Sequence, residues 1–343
     1  MKPVAALSEP LSQPAERSRR SGSDAAFAAL DLGTNNCRLL VARRCADAPA
    51  AAPFRVVDAF SRIVRLGEGL AASGVLSEAA MTRTLDALKV CAEKIAVHRV
   101  AGARSIATEA CRRATNCAEF MARVASETGI ALEIITAKEE ARLVVAGCAP
   151  LLNPNIPYAL VFDIGGGSTE LVWLSVEGGV TRIIDSQSVP HGVVTLSDRY
   201  GGREVSEPTY AAMVAEIDAA LREIEQRQGI TARIAAGEVQ MLVSSGTVTT
   251  LAAVHLNLRH YSRRRVDGTV LRFDDLRRAS RRLAAQNHDE RASNPCIGVE
   301  RADLVLAGCA ILEAICRLWP VGRLRVADRG IREGILLGLV QGS

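Results

Sequence analysis

Two stretches of the chain share one pattern of apolar and polar residues. In the later stretch, residues 160–173, an apolar run leads into the consecutive glycines Gly165, Gly166 and Gly167, and a second apolar run follows. Apolar runs of this length, bounded by glycine, are typical of buried strands. The pattern therefore predicts a β-hairpin whose turn consists of bare backbone.

The earlier stretch, residues 28–41, aligns with residues 160–173 without a gap. Three pairs of polar or glycine positions coincide: Asp31 with Asp163, Gly33 with Gly165, and Arg38 with Glu170. The apolar flanks coincide as well. Two such strand–turn–strand units predict two similar lobes, each presenting a phosphate-binding hairpin to a shared cleft.

The glycine turns suit an anion, because N–H groups without side chains in the way can converge on one point. Acidic Asp163 and Glu170 lie at either side of the second turn, which is an unusual choice for a site that holds only phosphate. The combination is explained if Mg²⁺ lies between the carboxylates and the phosphate oxygens. The alternative, a glycine-rich hairpin without a ligand, gives no reason for acids on both flanks.

The rest of the pattern predicts alternating strands and helices. Further strands are expected at residues 54–64, 104–107, 132–135 and 241–243, and helices at residues 77–95, 118–127, 138–149, 210–226, 301–317 and 330–340. Residues 244–251 are expected to turn from the strand at 241–243 into a further helix. Ser77 is the expected N-cap of its helix. The helix at 138–149 is expected to cross to the second lobe, and His288 is expected to lie in a loop.

Composition excludes several classes of protein. The chain has 343 residues, 48% hydrophobic and 23% charged, which suits a soluble enzyme of two lobes. Its net charge of +4 allows a small anionic substrate, but no basic segment carries the interspersed aromatic residues typical of nucleic-acid binding. No apolar run approaches the length of a membrane span. We therefore expect neither a nucleic-acid partner nor a membrane partner.

The nine cysteines contain no Cys-x-x-Cys pair, and the five histidines are scattered. This usage indicates reduced thiols in a cytoplasmic protein rather than disulfides or zinc ligands. Cys37, beside the first turn, is interpreted as a small buried thiol and not as a nucleophile. Residues 1–25 lack periodicity and lack the apolar core of a signal peptide, so we predict a disordered leader.

The chain resembles the exopolyphosphatase/guanosine pentaphosphate phosphohydrolase family over residues 26–340. The motifs that carry the resemblance are Asp31-Leu32-Gly33-Thr34-Asn35, Ala107-Thr108-Glu109-Ala110-Cys111-Arg112, Glu139-Glu140-Ala141-Arg142-Leu143, the hairpin around Asp163, Ser245-Gly246-Thr247, Glu300-Arg301-Ala302-Asp303 and Asp328-Arg329-Gly330-Ile331-Arg332-Glu333-Gly334. The family has an α/β fold of two ribonuclease-H-like lobes, of the actin/hexokinase/Hsp70 type, with a cleft between them. The resemblance implies a first lobe of residues 26–138 plus 329–343 and a second of residues 139–328. It also implies a short member, without the helical domain that follows the lobes in longer ones.

The resemblance implies that the protein removes terminal phosphate from inorganic polyphosphate, from guanosine pentaphosphate, or from both, with Mg²⁺ or Mn²⁺. It assigns Glu140 as the base that activates water. The implied metal residues are Asp31, Asp163 and Glu170. The implied phosphate-binding residues are Gly33, Thr34, Asn35, Arg112, Gly165, Gly166, Gly167, Ser168, Gly246 and Thr247. Asn36 stands where the family often has serine, a departure that could alter one phosphate contact.

Position alone leaves several of these roles open. Glu139 and Glu140 are also ordinary acids for the first turn of a helix, and only the family register favours Glu140. Arg112 could equally be a surface arginine. Two basic clusters, at residues 259–265 and 277–282, could guide a long polyanion, but we interpret them as solvated faces.

Three functions of different kinds remain, and a hydrolase of polyphosphate or guanosine pentaphosphate is our primary prediction. A phosphotransferase of the same fold is the first alternative, and a base for water at Glu140 argues against it. A non-catalytic sensor is the second, and retention of Asp31, Glu140, Asp163 and Glu170 together argues against it. The preferred substrate and the oligomeric state, including a homodimer, stay open.

Overall fold

A computed structural model describes residues 25–45 and 53–342 of the protein. The predicted leader lies outside the described residues, except for its last residue, Ala25. Within the described part of the chain, no helix is long and apolar enough to cross a membrane.

The first half of the chain forms a five-stranded sheet. Its strands are β1 (Ala26–Leu32), β2 (Asn36–Arg44), β3 (Phe54–Ile63), β4 (Gly102–Ala107) and β5 (Glu133–Ile134). The strand order is β3-β2-β1-β4-β5. The strands β1, β2 and β3 are antiparallel neighbours, whereas β4 runs parallel to β1 and β5 runs parallel to β4.

The second half repeats this arrangement with one added strand. Its strands are β6 (Tyr158–Ile164), β7 (Thr169–Glu177), β8 (Val180–Val189), β9 (Val239–Ser245), β10 (Val270–Arg272) and β11 (Arg323–Ala327). The order is β8-β7-β6-β9-β11-β10, and again the first three strands are antiparallel while β9 and β11 continue in parallel. Two sheets of the same order confirm the predicted α/β fold of two ribonuclease-H-like lobes, of the actin/hexokinase/Hsp70 type.

Helices pack on both sheets. In chain order they are α1 (Leu70–Ser73), α2 (Glu78–His98), α3 (Glu109–Arg113), α4 (Cys117–Thr128), α5 (Ala137–Cys148), α6 (Val193–Tyr200), α7 (Glu207–Gln228), α8 (Ile230–Ala235), α9 (Gly246–His255), α10 (Arg263–Val266), α11 (Phe273–Ala284), α12 (His288–Ser293), α13 (Val305–Leu318) and α14 (Ile331–Gln341). A short 3₁₀ helix, Ala149–Leu151, follows α5.

The register of the two hairpins matches the gap-free alignment of their sequences. Asp31 on β1 lies opposite Arg38 on β2, and Asp163 on β6 lies opposite Glu170 on β7. Both aspartates lie one residue before the carboxyl end of a central strand whose neighbouring residues are buried. The repeated unit predicted from the sequence is therefore confirmed, and it places one acidic residue of each central strand at the cleft.

Most predicted elements are confirmed, with corrections at some bounds. Ser77 caps α2, and its side chain accepts a hydrogen bond from the backbone N–H of Ala80 at 3.2 Å. The helix predicted from residue 301 begins only at Val305. The strand predicted at 132–135 is limited to β5, and the strands β8, β10 and β11 were not predicted. Most of β8 is only partly buried or exposed, so its apolar pattern is weak.

The prediction that His288 lies in a loop was wrong, because His288 is the first residue of α12. The side chain of Asn287 accepts from the N–H of Glu290 at 2.9 Å, and the Glu290 carboxylate accepts from the N–H of Asn287 at 2.8 Å. This reciprocal pair is a capping box, which stabilises the start of even a short helix.

The helices α5 and α14 cross in backbone contact near the junction of the two sheets. A Cβ at Gly334 would lie 2.1 Å from the carbonyl oxygen of Leu143, and a Cβ at Gly147 would lie 2.0 Å from that of Gly330. The helix α5 also contacts β7 and β8, whereas α14 contacts β1 and β2. This pair of helices therefore joins the two sheets, and the lobe boundaries near residues 138 and 328 stay a prediction.

We expect Gly334→Ala to destabilise the protein by about 1–3 kcal/mol, because the added methyl group must push α14 away from α5. Gly338→Ala is the matched control on the same helix, since no atom lies within 4 Å of a Cβ at that position. It should be neutral or stabilise by up to about 1 kcal/mol, because alanine has the higher helix propensity. Urea unfolding of the two variants would measure both changes, and equal effects would contradict the close crossing.

Candidate active site

A cavity of about 120 Å³ lies between the two hairpin turns. All of the predicted site residues except Arg112 line it, namely Asp31, Gly33, Thr34, Asn35, Glu140, Asp163, Gly165, Gly166, Gly167, Ser168, Glu170, Gly246 and Thr247. These residues come from both halves of the chain and from the starts of α5 and α9. The fold therefore collects in one place the motifs that are far apart in the sequence.

The two turns are built alike. The N–H of Gly33 donates to the carbonyl oxygen of Asn36 at 2.9 Å, and the N–H of Gly165 donates to that of Ser168 at 2.9 Å. Both glycine N–H groups are thus used within their own turns. The N–H groups that are available to a ligand are those of the following residues in each turn.

The two turns also touch each other across the cavity. A Cβ at Gly166 would lie 2.9 Å from the Cβ of Asn35, and a Cβ at Gly167 would lie 2.7 Å from the Thr34 hydroxyl oxygen. Any side chain at either glycine would push the first turn away. Glycine is therefore required here for the approach of two backbones, in addition to its value in a turn.

The helix α9 adds a third group of donors. It starts at the carboxyl end of β9, and the side chain of Ser245 caps it by accepting from the N–H of Thr247 at 3.1 Å. Gly246 and Thr247 form its first turn and line the cavity. The N-terminal end of a helix carries a partial positive charge and free N–H groups, so it favours a negatively charged ligand.

Five carboxyl groups line this small space, namely those of Asp31, Glu109, Glu140, Asp163 and Glu170. Burial, opposed by Arg38, raises the pKa of Asp31. Burial and the neighbouring carboxylates raise the pKa of Asp163 to about 7, that of Glu170 to about 7 and that of Glu140 to about 8. Like charges this close disfavour one another, so without a positively charged ligand at least some of these groups keep their protons near neutral pH.

Glu170 is held in place by hydroxyl groups. Its Oε1 accepts from the hydroxyl of Ser168 at 2.6 Å and from that of Ser188 at 3.0 Å. Ser188 lies opposite Glu170 on β8, the edge strand that the sequence analysis did not predict. These bonds fix the carboxylate and partly offset the effect of burial on its pKa.

Glu139 and Glu140 point to different sides of α5, as expected for successive helical residues. Glu140 is only 7% exposed and faces the cavity. Glu139 binds Arg104 at 3.0 Å and Arg142 at 2.7 Å on the outside of the helix, and these arginines lower its pKa to about 2. Of these two residues, only Glu140 is therefore in a position to contact a ligand in the cavity.

Arg112 does not line the cavity directly. Its Nη1 donates to Glu140 Oε2 at 2.7 Å and to the carbonyl oxygen of Ile135 at 3.0 Å. Its Nε and Nη2 donate to Glu109 Oε2 at 3.1 and 2.9 Å. The guanidinium thus lies behind Glu140, and its predicted grip on phosphate stays a prediction.

The sequence analysis assigned no role to three residues that line the cavity, Arg38, Glu109 and Arg301. The alignment of the two hairpins contained a signal for Arg38, since it places a basic residue where the second hairpin has Glu170. Glu109 and Arg301 lie within the quoted motifs, but nothing in their spacing shows that both side chains reach the same cleft.

A larger cavity of about 630 Å³ adjoins the first and shares Asp31, Arg38, Asp163 and Arg301 with it. Arg332 also lines this larger cavity. No hydrogen bond or ion pair joins the guanidinium groups of Arg38, Arg301 or Arg332 to the described residues. Burial, together with the nearby charge of Arg38, lowers the pKa of Arg301 and of Arg332. This cavity has the charge and the size for a further part of an anionic ligand.

The donor atoms at the first turn suit a hard cation. Within residues 25–45 and 53–342, no three His, Cys, Asp or Glu side chains converge closely enough to form a complete metal site. Mg²⁺ commonly takes only one or two carboxylates and fills its remaining positions with water and phosphate oxygens. The Oδ1 atoms of Asn35 and Asn36 are buried and have no hydrogen-bond partner among these residues. Amide and carboxylate oxygens are the ligand types that Mg²⁺ prefers, so the residues fit this ion.

Comparison with known proteins gives relatives over nearly the whole chain. The model of the Ppx/GppA phosphatase family matches residues 42–342. Exopolyphosphatase 2 of Mycobacterium tuberculosis is 31% identical over 323 residues, which cover 91% of this chain and 98% of the relative. A guanosine-5'-triphosphate,3'-diphosphate pyrophosphatase of Aeromonas salmonicida is 30% identical over 315 residues, which cover 92% of this chain and 59% of that relative.

Solved structures agree with this assignment. The crystal structure of an exopolyphosphatase from Cytophaga hutchinsonii superposes with a TM-score of 0.82 at 25% identity and covers 92% of this chain and 98% of its own. An Aquifex aeolicus member of the Ppx/GppA family superposes with a TM-score of 0.72 at 27% identity and covers 93% and 98%. The resemblance inferred from the motifs is confirmed.

The raised carboxyl pKa values predict that the ligand-free protein loses stability as pH rises from about 5 to about 8. The folded protein keeps protons that the unfolded chain, with carboxyl pKa values near 4, has already released, so unfolding releases protons. Asp163→Asn removes one of these carboxylates and should raise the melting temperature at pH 8 by roughly 2 °C or more, with a smaller gain at pH 5.

Glu139→Gln is the control for this measurement. Arg142 and Arg104 lower the pKa of Glu139 in the wild type. The loss of this carboxylate should therefore destabilise the protein by a similar amount at pH 6 and pH 8. Thermal unfolding in a chelator across this range would record both variants. A gain from Asp163→Asn that does not grow with pH would contradict the repulsion among the buried carboxylates.

Proposed function

This chain belongs to the Ppx/GppA phosphatase family, and on that premise we propose that it is an exopolyphosphatase that releases terminal orthophosphate from inorganic polyphosphate. The observation that carries the proposal is the buried carboxylate of Glu140 in a cavity whose other walls are two glycine turns. Such a cavity offers N–H donors to a phosphate group and a base to a water molecule beside it. The name of the 31% identical Mycobacterium tuberculosis relative supports the same substrate.

We assign the binding of the terminal phosphate to backbone N–H groups. The donors are those of Thr34 and Asn35 in the first turn and of Gly166 and Gly167 in the second, since Gly33 and Gly165 use theirs within the turns. Ser168 and the start of α9 complete the surroundings. Donors that are fixed before the substrate arrives stabilise charge on the transferring phosphoryl group without rearrangement.

Glu140 is the proposed general base. It takes a proton from water while the water oxygen forms a bond to the terminal phosphorus, and the bond from that phosphorus to the bridging oxygen breaks. Its pKa of about 8 lies close to neutral pH, which suits a group that must accept a proton and later release it. Arg112, which donates to Glu140 at 2.7 Å, holds the carboxylate in position.

Mg²⁺ is the proposed cofactor, with Mn²⁺ as a substitute, and Asp31, Asp163 and Glu170 are the proposed metal residues. When bound, the ion would neutralise phosphate charge and draw electrons from the phosphorus. The buried carboxylates support this assignment, because without a cation they would repel the phosphate oxygens.

Guanosine pentaphosphate is a second candidate substrate. The cavity of about 630 Å³ beside the proposed phosphate site is large enough for part of a nucleotide, and its free guanidinium groups suit additional phosphates. The name of the Aeromonas salmonicida relative supports this candidate. Both relatives are named as enzymes that hydrolyse phosphoanhydride bonds, so we do not propose the phosphotransferase alternative.

We also propose a cytoplasmic location. All nine cysteines lie within the described residues and none forms a disulfide. This supports a reducing compartment, where thiols stay unpaired.

Glu140→Gln should lower the rate of phosphate release from polyphosphate by about a hundredfold or more, because it keeps the shape of the side chain and removes its basicity. Binding of polyphosphate should persist, because the N–H donors are unchanged. The measurement is released orthophosphate, with product nucleotide followed separately when guanosine pentaphosphate is the substrate.

Glu139→Gln is the matched control, one residue away on the outer side of the same helix turn, and it should keep most of the activity. The assignment of the base would be wrong if Glu140→Gln kept near-native turnover while Glu139→Gln lost it.

Removal of divalent cations should abolish phosphate release, and addition of Mg²⁺ or Mn²⁺ should restore it. Mg²⁺ should also raise the melting temperature of the wild-type protein at pH 8, because it offsets the repulsion among the carboxylates. Asp163→Asn should weaken this stabilisation. Full activity in excess chelator, together with no thermal shift from Mg²⁺, would contradict the metal assignment.

A further inference from the structure

One ion pair spans the cleft beside the first turn. Arg65, in the loop after β3, binds Asp303 with two hydrogen bonds, from Nη1 to Oδ2 at 2.8 Å and from Nη2 to Oδ1 at 2.9 Å. Its Nη2 also donates to the carbonyl oxygen of Glu300 at 3.1 Å. The two partners are 238 residues apart and about three-quarters buried. We call the pair Arg65–Asp303 the clasp.

On one side, the clasp is tied to the first phosphate turn. The N–H groups of Val64 and Arg65 both donate to the carbonyl oxygen of Asn35, at 2.9 and 3.1 Å, and the N–H of Gly67 donates to that of Thr34 at 2.9 Å. Arg65 has a φ of 47°, a left-handed conformation that is uncommon for residues other than glycine. Surrounding contacts must hold this conformation, so the clasp and the turn are one connected unit.

On the other side, the clasp is tied to the second half of the cavity. The carbonyl oxygen of Asp303 accepts from the hydroxyl of Ser197 at 3.1 Å. Leu304 and Val305, which follow directly, line the smaller cavity, and Arg301 lines both cavities. Asp303 is therefore fixed to the wall of the cavity that faces the first turn.

A second contact closes the same edge of the cleft. The N–H of Gly69 donates to Asp198 Oδ2 at 3.0 Å, and Asp198 belongs to α6 in the second half of the chain. The loop from Val64 to Gly69 thus donates four hydrogen bonds to the second half, through Arg65 and Gly69, and three to the first turn. Opening of the cleft at this edge has to break the clasp.

We propose that Arg65 is a positioning residue that holds the cleft closed, so that the two phosphate turns face each other before substrate arrives. The bidentate, charge-assisted geometry makes this pair stronger than an ordinary surface ion pair. Without it the open form gains population, and part of the binding energy of the substrate is then used to close the cleft. The apparent affinity for substrate falls in proportion to the fraction of molecules that are closed, while the chemical groups of the site are unchanged.

The kinetic test rests on the proposed exopolyphosphatase activity. In Arg65→Ala and in Asp303→Asn, we expect KM for inorganic polyphosphate of defined length to rise about tenfold, with kcat within about twofold of the wild type. Arg123→Ala is the control, since Arg123 forms an ion pair with Glu78 at 2.7 Å within the first half of the chain. It should change neither constant.

A charge-reversed double variant, Arg65→Asp with Asp303→Arg, should recover at least half of the lost affinity. Aspartate tolerates a left-handed φ better than most residues, so the exchange places no new strain at position 65. Arg65→Lys, which keeps the charge but not the fork, should lie between the wild type and Arg65→Ala. Asp303→Asn and Arg65→Lys keep the test decisive if Arg65→Ala does not fold.

Hydrogen exchange of the ligand-free protein tests the clasp independently of any enzymatic activity. Peptides that cover residues 64–70 should exchange faster in Arg65→Ala and Asp303→Asn than in the wild type or Arg123→Ala, and the double variant should restore protection. If the wild-type protein released no phosphate, the proposed function would fail while this measurement still decided the clasp. Unchanged exchange in the single variants, or a raised KM that the double variant does not reverse, would overturn the proposal.

Discussion

The arrangement depends on the burial of four carboxyl groups in one small cavity. Burial is the largest cause that raises the pKa values of Asp31, Glu140, Asp163 and Glu170, and the charge of neighbouring acids raises each of them further. A fold gains no stability from such a group of acids, so their presence indicates a function that needs them. The same charges explain why a cation and a phosphate suit the site together. The positive charge of the cation offsets the repulsion between the carboxylates and the phosphate oxygens.

Close backbone contacts permit this concentration of charge. The two turns touch at Gly166 and Gly167, and the helices α5 and α14 touch at Gly147 and Gly334. The first contact brings the donors of both turns to one ligand. The second fixes α5, and therefore Glu140, against the sheet that carries Asp31. Glycine at these positions is required by the distance between two segments of backbone, and the segments are more than 100 residues apart in the chain.

The clasp adds a control on the distance between the halves. It binds the loop after β3, which is bonded to the first turn, to Asp303, which borders the opposite wall. A site built from two halves works only when both halves face the ligand at once, so any contact that favours the closed form contributes to affinity. In this protein that contact lies beside the cavity and contains none of the proposed catalytic groups.

The sequence by itself determined the repeated strand–turn–strand unit, its acids and its glycines, because apolar runs and glycine turns are local properties of the chain. The same holds for the cap at Ser77 and for the orientation of Glu140 away from Glu139. The edge strand β8, the helix start at Val305 and the placement of Arg112 behind Glu140 were decided by the tertiary structure. So were the convergence of Arg38 with Arg301 and the clasp at Arg65. Each of these depends on contacts between residues far apart in the chain, and spacing along the sequence carries no information about which distant side chains meet.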